Sequence, residues 1–328
     1  MTFDLFPARR ALFALAFFLT CGIARAAGFS FIEVPADAEG PALRGAVWVP
    51  CAKPAGPIVL APLVIQGVRD CPAMGERLPL VVISHGTGGS FLGHHDTAEA
   101  LADAGFVVAA ISHPGDNFAD LSRQTQLSTF ASRPADMRRL VDYMLGRWPG
   151  RAQLAADRIG IFGFSRGGYT GLVAVGAVPD FRRPPPFCRA QPGTPLCMQV
   201  GRDMPSLPAA DPRIKAAVIV DPLSLFEAGS FSNVRVPIQL WASEFGGDGV
   251  LPQDVDAIRR RLPQPREFHV ATGAEHFGFL APCSPAMATA AKDICTDRPG
   301  FDRVAFHRGF DEEVVGFFEA RLKAGAAP

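Results

Sequence analysis

The apolar positions of this chain fall into short unbroken runs separated by stretches of helical spacing. Leu78-Pro79-Leu80-Val81-Val82-Ile83-Ser84 and Phe106-Val107-Val108-Ala109-Ala110-Ile111 lack polar alternation. That pattern marks strands covered on both faces, as in a parallel sheet. Similar runs predict strands at 158–162, 214–220, 236–242 and 268–271. Residues 29–34 and 43–49 read as two edge strands joined by a turn-rich segment. Helices are predicted at 97–104, which ends at Gly105, a glycine suited to a C-terminal cap, and at 134–148. In the latter, Met137, Leu140, Val141, Met144 and Leu145 share one face. Residues 168–175 and 311–323 complete the set. Strands alternating with helices predict an α/β fold with a doubly wound, mostly parallel sheet.

Two segments interrupt the rhythm. Residues 51–77 are rich in Pro and Gly and read as one long connection. Residues 179–212 contain Pro184-Pro185-Pro186, Pro192, Pro195, Pro205 and Pro208, which exclude a regular helix through that stretch. So long an insert after a helix predicts a Pro-rich cap or lid.

The N-terminus reads as a leader. Arg9-Arg10 precede an apolar run from Ala11 to Ile23, and Ala24-Arg25-Ala26 supplies a small-x-small cleavage pattern. The run is shorter than the ~18 residues a membrane span requires. The expected organisation is therefore a signal peptide over 1–26 and one domain over 27–328. The expected location is periplasmic or secreted, with no stable membrane insertion of the mature chain. Six cysteines follow residue 26: Cys51, Cys71, Cys188, Cys197, Cys283 and Cys295. An even number in an exported chain predicts disulfides, and their clustering suggests the local pairs 51–71, 188–197 and 283–295. A zinc site is the weaker reading, because no pair has C-x-x-C spacing. Residues 27–328 carry 29 basic and 31 acidic side chains, and this balance gives no sign of a nucleic-acid-binding surface.

The chemistry centres on Gly163-Phe164-Ser165-Arg166-Gly167. A predicted strand leads into this pentapeptide and a predicted helix leaves it, the setting a nucleophile elbow requires. A serine hydroxyl needs a base, and the base needs an orienting acid. In this order the acid follows the serine and the histidine comes last. His276, in the loop after the last strand, is the expected base. Asp248 ranks first as the acid, in the Gly-rich loop after the 236–242 strand. Asp221, at the end of the 214–220 strand, is the alternative, and Glu244 comes third. The oxyanion hole is expected from the backbone amides of Arg166 and Thr87, the latter in His85-Gly86-Thr87-Gly88-Gly89. His85 is expected to order that turn. His94-His95-Asp96 is read as structural, with Asp96 capping the following helix, so no metal site is expected. Phe277-Gly278-Phe279-Leu280 and residues 181–187 are read equally as an apolar substrate pocket or as core.

Four segments together resemble the α/β-hydrolase superfamily: Leu80 to Gly89, Gly105 to Asp116, Gly160 to Gly168, and His276 to Cys283. Within it the chain resembles the predicted dienelactone-hydrolase-like proteins of bacteria. It is also similar to the platelet-activating-factor acetylhydrolase and polyester-hydrolase branches. The resemblance implies Ser165 as nucleophile, His276 as base, and Arg166 and Thr87 as oxyanion donors. For the acid it allows Asp221, as in acetylhydrolase-like members, or the loop of Asp248, as in most of the superfamily. True dienelactone hydrolases carry cysteine where Ser165 stands, which directs the expectation to ordinary carboxylic esters. The expected function is a secreted serine esterase working through an acyl-enzyme on a small-molecule or lipid-like ester, without cofactor or metal. A lipid-ester or polyester hydrolase is the nearest alternative. A non-catalytic binding protein on the same scaffold is the alternative of another class.

Overall fold

The computed structural model describes residues 26–182, 184, 188, 192–202, 205–263 and 266–323. The expected leader lies outside them apart from Ala26, as do residues 183, 185–187, 189–191, 203 and 204 of the expected cap. One ten-stranded sheet dominates the fold. In chain order its strands are β1 (Ala26–Val34), β2 (Leu43–Cys51), β3 (Gly56–Leu60), β4 (Leu63–Arg69), β5 (Leu78–Ser84), β6 (Val107–Ile111), β7 (Leu154–Phe164), β8 (Ile214–Val220), β9 (Ile238–Ser243) and β10 (Arg266–Ala271). Their spatial order is β10-β9-β8-β7-β5-β6-β2-β1-β4-β3. The six strands from β10 to β6 run parallel, while β2 joins β6 antiparallel.

Side-chain alternation along the buried strands divides the core in two. Leu80 and Val82 of β5 enter one apolar cluster, whereas Val81 and Ile83 enter the other. The first cluster packs against α2 (Ser128–Gly146), α3 (Arg166–Ala174) and α5 (Pro252–Arg261). The second packs against α1 (His95–Asp103) and α8 (Arg303–Phe318). This is the doubly wound arrangement read from the sequence. Among the described residues, no helix is long and apolar enough to cross a membrane.

Several local expectations change. β1 and β2 are interior strands, because the segment read as a connection folds into the β3–β4 hairpin and adds strands outside them. Helix α2 begins six residues before Pro134 instead of at it. Proline removes the amide that would bond to the Phe130 carbonyl. The buried Tyr169 hydroxyl donates to that carbonyl instead, at 3.2 Å. Helix α8 starts at Arg303, where the Asp302 side chain accepts from the Ala305 amide.

Cysteines pair locally as expected: Cys51–Cys71, Cys188–Cys197 and Cys283–Cys295. Within the insert, α4 (Pro195–Gln199) carries the second bridge, and the short helices α6 (Pro285–Ala290) and α7 (Lys292–Cys295) lie in the loop that the third closes. Phe181, Leu196 and Val200 are buried in the first cluster.

Candidate active site

Strand register brings the candidate residues to one edge of the sheet. Ser84 of β5 lies opposite Gly163, Phe164 opposite Val220, and Val220 opposite Trp241. The residues just beyond these strands therefore meet along a single line. Ser165 follows β7 with φ +57° and ψ −119°, a left-handed strand-to-helix turn that a residue with a Cβ occupies at a cost. Its amide donates to the Val220 carbonyl at 2.9 Å. The turn demands glycine around it. A Cβ on Gly163 would overlap the Gly167 carbonyl, and one on Gly167 would overlap the Ser84 carbonyl. Strand, elbow and helix thus approach more closely than any larger residue permits.

Asp221 follows β8 directly and is fully buried. Its Oδ2 lies 2.6 Å from His276 Nδ1. Oδ2 also accepts from the Ser243 hydroxyl at 2.7 Å, and Oδ1 accepts from the Ser243 amide at 3.0 Å. Ser243 Oγ in turn accepts from the Gly246 amide, and the Gly246 carbonyl accepts from the His276 amide at 2.8 Å. The imidazole is therefore held through both its side chain and its backbone. Its face stacks on Phe164 at a centroid distance of 4.6 Å. Nε2 is buried and has no protein hydrogen-bond partner, so it is free for a proton. Ser165 and His276 are only 3% and 1% exposed.

Asp248, ranked first as acid, lies on a different loop from the carboxylate that meets the imidazole. It sits on the exposed turn closed by Gly247 and Val250, at φ +47°. The carboxylate on the imidazole is that of Asp221. Glu244 bonds elsewhere, accepting from the Gly273 amide at 2.7 Å. The loop of Asp248 still serves the site, since Gly246 and Gly247 lie against the His276 backbone.

The turn carrying Thr87 is fastened from beneath. Arg133 donates from Nη2 to the His85 carbonyl, and Gly88 donates its amide to Asp116 Oδ1 at 3.2 Å. His85 accepts from the His113 amide at Nε2, 3.0 Å away, which puts its ring proton on Nδ1, 2.6 Å from the Gly86 carbonyl. Burial and the nearby Arg133 charge lower the His85 pKa to about 3, so it stays neutral and orders the turn as expected. Arg166 opens α3, and a first-turn amide has no intrahelical acceptor. It is therefore available as an oxyanion donor.

A second Ser–His–Asp chain lies below the site and escaped sequence reading. Ser84 Oγ is 2.9 Å from His113 Nε2, and His113 Nδ1 is 3.0 Å from Asp136 Oδ2. Ser84 and His113 are completely buried, and Ser84 belongs to a regular strand. Burial, outweighing Arg139 and Arg133, raises the Asp136 carboxyl to about 7. This chain ties β5, β6 and α2 together and cannot be reached by a substrate. The only signal for it in the sequence is that both Ser84 and His113 lie at the ends of buried strands.

His94, not Asp96, occupies the N-cap of α1. Asp96 sits in the first turn and pairs with His307 Nδ1 at 2.6 Å, while Thr97 donates to Asp311 at 2.7 Å. Among the described residues, Asp96, His307 and Asp311 gather potential ligand atoms within 4.8 Å of one another. Pairing within the group accounts for the arrangement as a polar pin between α1 and α8. Burial alone would raise the Asp96 carboxyl, but His307 holds it at about 2. Of the phenylalanines beside the base, Phe279 is core, packed edge-on against Phe306 and at a tilt against Phe310. Phe277 stays half-buried. A cleft of about 730 Å³ lies between β1, β2 and the loops that follow β5 and β6, lined by Phe31, Phe91 and Phe118 among others but by neither Ser165 nor His276. Phe118 donates its amide to Gly89 at 3.0 Å.

No family model and no curated protein matches the sequence. Among solved structures, a ferulic acid esterase from Streptomyces cinnamoneus is similar, with a TM-score of 0.63 and 19% identity. The match covers 94% of this chain and 93% of that one. With its six parallel strands, its elbow after β7 and helices on both faces, the chain has the α/β-hydrolase fold.

Proposed function

We propose that the protein is an exported serine hydrolase that cleaves carboxylic esters through Ser165, His276 and Asp221. The observation that carries this reading is the buried Asp221–His276 pair at 2.6 Å, its free Nε2 at the edge where Ser165 stands strained. Asp221 keeps the ring proton on Nδ1, which leaves Nε2 as the base. His276 takes the Ser165 proton as Oγ attacks the ester carbonyl, and returns it to the departing alcohol. Water then enters by the same route and releases the acid from the acyl-enzyme. The amides of Arg166 and Thr87 stabilise the oxyanion in both halves, because backbone donors held in place need no reorganisation as charge develops. No cofactor takes part.

Export is supported by the N-terminal leader pattern and by three disulfides, which persist in oxidising compartments. A ferulic acid ester belongs in the first substrate panel beside p-nitrophenyl esters of increasing chain length, because a ferulic acid esterase shares the fold. The 179–212 insert, as far as its residues are described, is proposed as a cap, with Phe181, Leu196 and Val200 anchoring it to the core. The direct test is labelling by a fluorophosphonate probe. Wild type is expected to take the label and Ser165→Ala to take none; a folded wild type that stays unlabelled overturns the enzyme reading.

A further inference from the structure

The Asp116 carboxylate is completely enclosed and bonded on every side. Its Oδ1 accepts from the Gly88 amide at 3.2 Å. Its Oδ2 accepts from Arg133 Nη1 at 2.7 Å and from Arg166 Nη1 at 2.9 Å. One carboxylate thus touches both segments that carry the proposed oxyanion donors. Gly88 is the neighbour of Thr87, and Arg166 is itself the other donor residue. Arg133 extends the clamp to the far side of the turn by bonding the His85 carbonyl, so Thr87 lies between two fixed points.

Arg166 is held along its length. Its guanidinium lies 4.8 Å from the Phe130 ring centre, and Nη1 also donates to the Gln124 carbonyl at 2.6 Å. The side chain of the residue after the nucleophile is therefore anchored to the same buried carboxylate as the opposite wall.

The cluster also carries an excess of positive charge, two guanidiniums to one carboxylate. Burying such a group is costly where it serves only to hold the fold together. Burial would raise the Asp116 carboxyl, yet the two arginines outweigh it and hold the group ionised below the usual carboxylate range. Here the surplus charge sits beside the two segments that carry the proposed oxyanion donors, and positive potential at such a site lowers the energy of an anionic transition state more than that of the neutral ester.

Resting on the serine-hydrolase reading above, we propose that Asp116 and the Arg166 side chain are positioning residues that fix the spacing of the two oxyanion donors. Neither touches the substrate. They act through the Gly88 and Arg166 backbones, and their effect falls on the tetrahedral species and not on ester binding.

Arg166→Met is the first test, because it keeps the residue-166 amide and leaves the Arg133–Asp116 ion pair in place. Loosening one donor by a fraction of an ångström is expected to lower kcat about 10–100-fold, with KM within about threefold. The affinity for an alkyl boronic acid, which forms a tetrahedral adduct on the serine, should fall in parallel with kcat/KM. Arg166→Lys should recover part of both losses. Asp116→Asn combined with Arg166→Met should cost less than the product of the single losses, as expected for residues acting as one unit. The proposal is overturned if Arg166→Met keeps kcat within twofold. It is equally overturned if activity falls while boronate affinity does not, or if the two losses multiply. Fluorophosphonate labelling separates this from the underlying reading: a labelled wild type with a fully active Arg166→Met overturns the positioning role alone, and an unlabelled folded wild type overturns both.

Discussion

Replacing Asp221 by asparagine separates the two candidate acids on structural grounds. The Oδ1 position faces the Ser243 amide at 3.0 Å, and that donor cannot rotate away. An asparagine must therefore turn its carbonyl oxygen toward Ser243 and its NH2 toward His276 Nδ1, now 2.6 Å from a donor. The imidazole answers by accepting at Nδ1 and carrying its proton on Nε2. It then presents a hydrogen where Ser165 needs a base. A triad locked in the wrong tautomer loses a factor of about 10³–10⁴ in kcat, equivalent to about 4–5.5 kcal/mol of barrier. The assay is steady-state hydrolysis of p-nitrophenyl butyrate, with circular dichroism to establish that Asp221→Asn is folded. Asp248→Asn, on its exposed turn, should stay within about tenfold of wild type, a loss of at most ~1.4 kcal/mol. The reasoning fails if folded Asp221→Asn keeps a tenth of the wild-type rate, or if Asp248→Asn loses more than Asp221→Asn.

Other outcomes follow from the packing and the charges. Tyr169→Phe leaves the Phe130 carbonyl orphaned and should cost about 1–2 kcal/mol in urea unfolding; Pro134→Ala, which restores the missing amide, should recover part of that loss, and strict additivity would contradict the account. His85 is buried neutral with its pKa lowered to about 3, so the unfolded chain takes up a proton below about pH 6.5 that the native chain refuses. Stability attributable to His85 is present above that pH and lost as pH falls, by about 2 kcal/mol between pH 7 and 5; the stability gap between wild type and His85→Gln should shift by that amount in the variant's favour, and a constant gap would be evidence against a buried neutral ring. Removing the Cys51–Cys71 bridge, which closes a loop of 20 residues' separation, should cost about 3 kcal/mol by loop entropy, and an unchanged Tm after selective removal would refute the estimate. Gly167→Ala should abolish activity and depress Tm sharply, because its Cβ has no space beside the Ser84 carbonyl; an active, stable variant would mean the elbow can relax.

What the sequence disclosed depended on how local each signal was. β5, β6 and β8 are readable because strands buried on both faces are spelled as unbroken apolar runs. The β3–β4 hairpin is half-exposed, with Val59 and Val64 facing out, and its Pro and Gly residues resemble a connection. The start of α2 is hidden because Pro134 looks like a first-turn residue, whereas the partner that makes an interior proline tolerable, Tyr169, lies 35 positions away. Ser165 and His276 are marked by their elements. The pairing of His276 with Asp221 instead of Asp248 is a matter of the ladder between β8 and β9, which sets Asp221 beside Ser243. Spacing along the chain does not encode that distance. The Asp116–Arg133–Arg166 cluster draws on three separate segments, and no single motif contains it.

The three disulfides also bear on how the protein is made. After residue 26, cysteines pair strictly with their next neighbour: first with second, third with fourth, fifth with sixth. A chain threaded N-terminus first into an oxidising compartment, with each new thiol joined to the one before it, arrives at this pattern without rearrangement. Biogenesis should then call for an oxidant but little proofreading of bridges. Under the proposed export, the yield of folded protein should accordingly suffer when the oxidase is removed and hold steady when the isomerase is.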